Sequence, residues 1–595
     1  MDAEDLLLRE FLGIRDPDRT RHASAWIRSR QRCDGTWTNH HGGPPNLSTT
    51  VEAYLALRLA GDPPDAAHMF RAAEWVREAG GLKSARVFTH IWLALFGLWQ
   101  WDDVPAIPPE IVLLPRWFPL NPYDFACWAR QTIVALSIVL AERPVHRLGL
   151  DLAELSRGKS PPPSRRRLSD RGFELLDRVL RAYQRHPLRP LRRLALSAAE
   201  SWVARRQEAD GSWGGIQPPW VYSLIALRLR GYPLEHPAIR RGLEGLDRFT
   251  IREDDGHRLE ACQSPVWDTA LAILALRDAG VEADDPALVA GADWLLGEEV
   301  LVRGDWAARR PSLEPGGWAF EFANVNYPDV DDTAEVVMAL AQVKHPDVTR
   351  NEGAISRGVG WLLGMQSRGG GWGAFDADNT RELARRLPFF DFGEVIDPPS
   401  ADVTAHGLEM LSAVGQGGGS AAREATSFLL AEQQPEGSWF GRWGVNHIYG
   451  TAAVVPALVA AGLPPSHPAI RRALSWLRAH QNEDGGWGED PRSYQDDGWV
   501  GRGESTASQT AWALLAFEAV GDRSTAPERG VEWLLETQRP DGGWDEQQFT
   551  GTGFPGDFYI NYHLYRLVFP VMALGRWARA DVEAPHEPAA AALVP

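Results

Sequence analysis

Asp329, Asp331 and Asp332 place three carboxylates within four residues of a chain otherwise rich in aromatic rings. Upstream lies Gly316-Gly317-Trp318-Ala319-Phe320-Glu321-Phe322, and downstream an apolar run continues to Leu340. Carboxylates crowded against apolar surface repel one another and lose hydration, so at least one of them resists ionisation. A carboxylic acid kept neutral in a dry aromatic pocket is suited to protonating a group that water cannot protonate.

An Asp at the start of a helix is also a common N-cap, and Asp332-Thr333-Ala334-Glu335 has the form of a capping box. Capping needs one carboxylate, however, and the aligned positions Asp268 and Asp402 carry one each. The two extra acids have no evident structural use and point to chemistry. A helix N-terminus favours the anion left after proton release by about 0.3–1 kcal/mol, while acidic neighbours favour the protonated form beforehand. His406 stands one turn into the next such helix, in Asp402-Val403-Thr404-Ala405-His406. As an imidazolium it would bond the departing carboxylate and strengthen the acid further.

These residues need a scaffold, and two interleaved repeats describe it. Gln-x-x-x-Gly-x-Trp recurs six times, at 31–37, 207–213, 366–372, 433–439, 481–487 and 538–544. Each copy follows a short amphipathic segment; in one, Ile470, Ala473, Leu474 and Leu477 mark a single helical face after Pro468. The Gly before each Trp is expected to end that helix and turn the chain. The Gln would bond backbone at a neighbouring helix end while the Trp covers the junction. Thr-Ala pairs at Thr269, Thr333, Thr404, Thr451 and Thr510 each open a strongly apolar run, which requires helices buried nearly all round.

Buried and half-exposed helices alternating at a period of roughly 45–70 residues indicate helical repeats closed into rings. The expected class is all-α, with two α/α barrels whose inner helices point the same way, so that their N-termini meet at one end. The expected division is a barrel over 1–262 with two Gln-Trp copies, a barrel over 263–582 with four copies and the acid motif, and a disordered tail over 583–595. Residues 144–171, with Pro161-Pro162-Pro163 and Arg165-Arg166-Arg167, read as a long exposed loop.

Composition narrows the function classes. With 595 residues, 44% hydrophobic and 24% charged, the chain is a folded protein too long for one core. A net charge of −18 argues against nucleic acid as a partner, since phosphates require a basic face. Cys33, Cys127 and Cys262 are too scattered for a disulfide framework or zinc cluster and suit a reducing compartment. No apolar run approaches the ~18 residues of a membrane span, and no secretory apolar segment opens the chain.

Taken together, the Asp-Val-Asp-Asp-Thr-Ala motif, the six repeats, Trp443-Gly444-Val445-Asn446 ahead of Gly450-Thr451-Ala452, and Gly553-Phe554-Pro555-Gly556-Asp557-Phe558-Tyr559 resemble squalene–hopene cyclase, a class II terpene cyclase. The resemblance runs over nearly the whole chain. Oxidosqualene cyclases are similar but carry a Cys where Val330 stands, in a differently spaced acid motif. The resemblance implies that Asp331 protonates a terminal double bond of squalene, assisted by His406 and flanked by Asp329, Asp332 and Asp402. Ring closures would follow without metal or cofactor, because an alkene is protonated and no diphosphate is ionised. It implies an aromatic lining of Trp128, Trp267, Phe320, Phe375, Trp443, Tyr449, Phe554, Phe558, Tyr562 and Tyr565, whose faces stabilise passing cations by about 0.5–2 kcal/mol each. It also implies that Gln217, Glu52, Arg86 and Glu4 hold the water that ends the reaction, giving hopene by deprotonation or hopanol by addition.

Further expectations follow from the family. Relatives have another helix and a degenerate Gln-Trp-like segment before the region matching Ala3-Glu4-Asp5. Phe375 stands where well-studied relatives have Tyr, and Phe389-Phe390 lies near the cavity entrance. The substrate implies contact with one membrane leaflet at the cytoplasmic face without crossing, for which residues 188–196, mixing Arg189, Arg192 and Arg193 with leucines, are a candidate. An ordinary amphipathic surface helix would look the same. Dimerisation occurs in the family. Three other readings compete: a class II cyclase of another polyprenoid; an α/α-barrel prenyltransferase subunit, whose zinc site would fall to Asp124 and Cys127; and a non-enzymatic repeat scaffold, which explains the repeats but not the acids.

Overall fold

The apolar runs become the inner helices of two toroids. In the computed structural model, which describes residues 1–156, 168–254, 256–387, 389 and 393–583, the first toroid is lined by α1 (Asp2–Leu12), α2 (Leu47–Ala60), α3 (Val87–Leu95), α4 (Cys127–Glu142) and α5 (Gln217–Leu229). The second is lined by α6 (Pro265–Asp278), α7 (Val330–Gln342), α8 (Ala401–Ala413), α9 (His447–Ala460), α10 (Ala507–Glu518) and α11 (Tyr565–Glu583). Each of these last six packs on the next, and α11 returns to α6 to close the ring. Residues 507–517 of α10 are all buried. The outer helix Pro468–Ala479, by contrast, buries the predicted face of Ile470, Ala473, Leu474 and Leu477.

The Gln-Trp repeats act as hydrogen-bonded staples. Every Gln donates its amide to the carbonyl of the Gly four residues on. Five of them also donate to a carbonyl in the first turn of the next outer helix. Each indole N–H reaches back ten residues to a carbonyl in the preceding outer helix, as in Trp439 to Leu429 at 2.6 Å. The two repeats interlock: the backbone N–H of Trp372, Trp439 and Trp487 donates to the hydroxyl of Thr404, Thr451 and Thr510 on the following inner helix. A Trp sealed in this way removes about 150–250 Å² of side chain from water, worth at most roughly 4–6 kcal/mol.

Several details differ from the sequence expectations. Helices end at the Gln, not at the Gly: Gln366, Gln433 and Gln538 are the C-cap residues. The Gly instead turns the chain with φ between 86° and 112° in all six copies. Trp318 is a further staple with no Gln to mark it, since its indole reaches Leu295 and its N–H reaches Thr333. The expected loop over 144–171 is interrupted by a helix beginning at Leu168; Pro161-Pro162-Pro163 and Arg165-Arg166-Arg167 lie outside the described residues. The helix α11 runs to Glu583, and the rest of the expected tail lies outside them too. Two short hairpins, Thr250–Glu253 with Gly256–Leu259 and Gly551–Phe554 with Phe558–Ile560, interrupt the helical pattern.

Two hydrophobic cores result, one for each toroid. Tyr327, Phe389, Val395 and Ile396 join the first core although they come from the second half, and Phe375 and Trp443 pack against both. Polar ties cross the same junction. Fully buried Arg130 donates to Asp376 at 2.8 Å, and Arg206 pairs with Asp305 at 2.8 Å through Nε. The seam between the toroids is therefore held by side chains and ion pairs from both halves.

Candidate active site

The Trp318 staple fixes the acid motif before α7 begins. The Asp329 N–H donates to the Trp318 carbonyl at 2.6 Å, the Val330 N–H donates to Ala374 at 2.8 Å, and the Thr333 hydroxyl donates to the Asp329 carbonyl at 2.6 Å. Asp329 is the N-cap of α7, and its carboxylate accepts the Asp331 N–H at 2.7 Å. One of the acids assigned to chemistry thus has a structural task, and the helix is capped by Asp329, not by a box built on Asp332 and Glu335. Asp331 and Asp332 follow in the first turn, at the positive end of the helix dipole.

Asp331 meets His406 on the neighbouring helix α8, with Nδ1 2.8 Å from Oδ1. The pair is only 7% and 9% exposed. Burial disfavours the imidazolium, but the charge and hydrogen bond of Asp331, with Glu335 and Glu409, together outweigh it and raise His406 to about 10. Burial, then repulsion from Asp331, holds Asp329 well above the usual carboxylate range; Asp332 is held there by burial together with Asp329 and Asp331. Asp332 Oδ1 has no hydrogen-bond partner among the described residues. Asp402, fully buried and raised by desolvation and by Asp331, accepts the N–H groups of Arg442 at 2.7 Å and Trp443 at 2.8 Å. The sequence-derived group of Asp329, Asp331, Asp332, Asp402 and His406 is one cluster.

The candidate aromatic residues fall into two linked groups. Around the acid, His406 lies 6.1 Å from Trp267 and 6.2 Å from Tyr449, ring centre to ring centre. Trp267 donates its indole N–H to the Tyr565 hydroxyl at 3.0 Å, Tyr565 stacks on Tyr562 at 4.5 Å, and Tyr562 meets Phe320 edge-on at 6.2 Å. In the seam, Trp128, Phe375 and Trp443 meet pairwise at 5.8–5.9 Å, mostly edge to face. Phe554 joins Trp128 at 5.9 Å and Phe558 at 5.7 Å. Phe320, Phe375, Trp443, Phe554, Phe558 and Tyr562 are half-buried rather than sealed.

Residues 1–255 match the squalene-hopene cyclase N-terminal domain, and residues 263–579 match the C-terminal domain. The chain belongs to the squalene–hopene cyclase family. It is 51% identical over 587 residues to the squalene–hopene cyclase of Alicyclobacillus acidocaldarius, covering 98% of this chain and 93% of that one. It is 41% identical to the squalene–hopene cyclases of Zymomonas mobilis and Bradyrhizobium diazoefficiens, each over 97% of this chain and 90% of the relative.

At the other candidate end, in the first toroid, Glu4 accepts the Trp92 indole N–H at 2.8 Å and Glu52 accepts the Thr89 hydroxyl. Burial, then Glu4, pushes Glu52 up to about 7, while Arg86 acts against it. The Gln217 amide nitrogen is buried without a partner among the described residues, and so is the Tyr222 hydroxyl. Arg86 also reaches Asp557 of the second hairpin at 3.3 Å. Phe389 is buried and meets Phe88 at 6.1 Å; Phe390 lies outside the described residues.

Two sequence candidates are corrected. Arg192 turns inward to bond Glu110 at 2.8 Å, so only Arg189 and Arg193 accompany the exposed leucines of that helix. Asp124 is paired with Arg381 at 2.8 Å and Arg309 at 3.3 Å beside buried Cys127, an arrangement that leaves no ready ligand pair for zinc.

The structure adds residues that the sequence reading passed over. Trp512 sits between Tyr449 at 4.8 Å and Tyr565 at 5.9 Å. Arg442 lies over Trp443 at 4.2 Å and Trp128 at 5.6 Å. Asp397 accepts the N–H groups of Phe375 at 2.7 Å and Asp376 at 2.9 Å. Glu321 and Glu335 flank the acid motif inside the barrel. Glu335, named above only as half of a capping box, carried a usable signal, since position i+4 from Asp331 shares its helix face.

Burial pushes Glu321 up to about 8, Glu518 to about 8 and Asp397 to about 7. Between the ordinary carboxyl range and these values the folded chain binds protons that the unfolded chain has released, so stability falls as pH rises. The melting temperature should therefore drop from about pH 5 to about pH 8. Glu321→Gln, which still offers an acceptor to Asn324, should flatten part of that drop in a calorimetric pH series. A melting temperature that rises across this window would show these acids to be ionised in the fold.

Proposed function

We propose that this chain cyclises squalene to hopene, hopanol or both, with Asp331 as the proton donor. The observation that carries the reading is the buried Asp331–His406 contact of 2.8 Å, set among acids that burial and mutual repulsion keep protonated. A terminal double bond lying against Asp331 takes its proton on one carbon and becomes a tertiary cation at the other. The Asp331 carboxylate left behind is held by the His406 imidazolium and by the α7 N-terminus. This is why the charge separation is tolerable in a dry site.

The cation then moves along the folded polyene as each ring closes. The half-buried faces of Phe320, Tyr562, Phe375, Trp443 and Phe554 offer π-density that cannot form a bond to it, worth about 0.5–2 kcal/mol per contact. Phe375 keeps this face without a hydroxyl. Asp402 supports the process indirectly, by fixing the backbone of Trp443. At the Glu52 and Gln217 end the last cation loses a proton to give hopene, or adds water to give hopanol. Net charge balances: one proton enters at Asp331 and one leaves at the far end.

An insoluble substrate calls for a lipid-facing surface. No helix among the described residues is long and apolar enough to cross a membrane. Leu188, Leu191 and Leu194, on and before the helix Arg189–Ala204, are exposed, as are Trp117 and Phe118 on the segment following Pro109–Leu113, against which that helix packs. Apolar and aromatic side chains grouped beside Arg189 and Arg193 suit burial at a lipid headgroup boundary. We place this face on one leaflet at the cytoplasmic side.

Asp331→Asn should lower squalene conversion by at least about 10²-fold while leaving the melting temperature near wild type, as judged by gas chromatography of the products. A variant with full activity would remove Asp331 from the reaction. Separately, Trp117→Glu with Leu194→Glu should weaken co-sedimentation with anionic lipid vesicles about tenfold or more. Undiminished sedimentation would assign the membrane face elsewhere.

A further inference from the structure

A tryptophan that must present one face to a passing cation needs its ring angle fixed, and backbone bonds fix only its peptide. The peptide of Trp443 is well held: its N–H donates to Asp402 at 2.8 Å and its carbonyl accepts the Thr552 N–H at 3.0 Å. Its indole N–H is buried and has no hydrogen-bond partner among the described residues. The Trp128 indole, by contrast, donates to the Glu394 carbonyl at 2.9 Å. Another group has to hold the Trp443 ring against Trp128 across the seam.

Arg442 is placed to do so. Its guanidinium lies over the Trp443 ring at 4.2 Å and over the Trp128 ring at 5.6 Å, although the two rings stand nearly perpendicular, at 86°. Its Nη1 donates to the Gly553 carbonyl at 3.0 Å, in the strand that continues into Phe554. One side chain thus touches a wall of each toroid and the hairpin that carries Phe554 and Phe558. Arg442 is itself only 7% exposed, makes no ion pair among the described residues, and leaves Nη2 without a partner there. Burial lowers it below the usual guanidinium range in spite of Asp397, Glu394 and Asp402 nearby. A buried cation so weakly compensated costs stability, and an apolar side chain would fill the space without that loss. Nor does the charge assist a passing carbocation, which it repels. What Arg442 offers is shape: a planar guanidinium stacks on aromatic faces while its N–H groups reach a carbonyl, a combination that Lys lacks.

We propose that Arg442 is a positioning residue that sets how far the ring closures run, by clamping the rings of Trp443 and Trp128 and the Phe554 strand at one spacing. These side chains form a continuous stretch of the seam: Phe375 meets Trp128 and Trp443 at 5.9 Å, and Phe554 meets Trp128 at 5.9 Å. Without the clamp, the Trp443 indole turns about its side-chain bonds and the Gly553 carbonyl loses this donor. A cation that meets a turned ring is held less well, because the attraction belongs to the face and not to the edge. It then loses a proton before the last ring has closed. Arg442 acts through the rings and touches neither Asp331 nor His406, so it governs where the cascade stops and not whether it starts.

The inference rests on the cyclase reading, and a wild-type protein that converts no squalene would sink that reading first. With an active wild type, the test is to incubate Arg442→Met and Arg442→Lys with detergent-dispersed squalene and resolve every product by gas chromatography. Both substitutions remove the plane, and Lys keeps the charge. Each should raise the share of products with fewer than the full set of rings at least about fivefold, since a wall displaced by about 1 Å no longer meets the cation correctly. Formation of fully cyclised product should fall by a larger factor than consumption of squalene. A loss of rate with unchanged product ratios would reduce Arg442 to a part of the fold, and wild-type rate and ratios would remove it altogether; both outcomes overturn the proposal. Wild-type ratios in Arg442→Lys, with altered ones in Arg442→Met, would assign the effect to charge and overturn the clamp as well. Should Arg442→Met fail to fold, Arg442→Lys decides on the same product ratios.

Discussion

The second toroid brings together one buried contact on which the proposed chemistry depends, that of Asp331 with His406 inside a ring of helices. In water such a pair would be weak and its proton too well solvated to attack an alkene. Inside the second toroid the carboxyl sits at a helix N-terminus, against an imidazolium, among acids that cannot all ionise together. These influences oppose one another: burial and mutual repulsion hold Asp329 and Asp332 above the usual carboxylate range, while the helix dipole and an imidazolium favour a carboxylate anion. The α7 N-terminus supplies the dipole and α8 supplies His406, so neither helix alone builds this contact.

That requirement explains the architecture around it. Inner helices of one direction bring the α7 and α8 N-termini to the same end, and closure of the ring sets their distance. The staples then carry the load of precision. Trp318 and Thr333 fix the chain entering α7, Trp372 and Thr404 fix the chain entering α8, and the two acid-bearing helices inherit that registry. Buried acids such as Glu321, Asp397 and Asp332 destabilise the fold wherever they must ionise, and the tightly packed tryptophans offset that cost. The seam between the toroids, with Phe375 and Trp443 touching both cores, extends the same rigid frame to the aromatic walls.

Much of this was legible in the amino-acid order because it depends on local periodicity. The Gln-Trp copies and Thr-Ala openings marked outer and inner helices, and the triple acid with His406 marked a group of residues that the fold brings together. What escaped was whatever depends on contacts across the ring. Trp318 lacked its Gln and so its staple went unseen. Asp329 looked surplus because its capping bond to the Asp331 N–H is a matter of backbone geometry. Trp512 read as one more apolar residue in a buried run, although folding sets it between two tyrosines at the acid end. Arg192 read as a surface charge until its partner Glu110 was in view. Arg442 lies over its neighbour Trp443 and over Trp128 of the first toroid, and the second of these contacts has no local signal.

The proposed chemistry requires that the reaction begin with a proton delivered by the protein. Incubating the enzyme with squalene in deuterium oxide and analysing the product by mass spectrometry measures this directly. Every turnover should place a single deuteron in hopene, on the carbon derived from the protonated terminal double bond, because the buried acid exchanges with solvent between turnovers. Cyclised product of unlabelled mass after many turnovers would mean that the cascade starts some other way, and that the buried Asp331–His406 pair is not its origin.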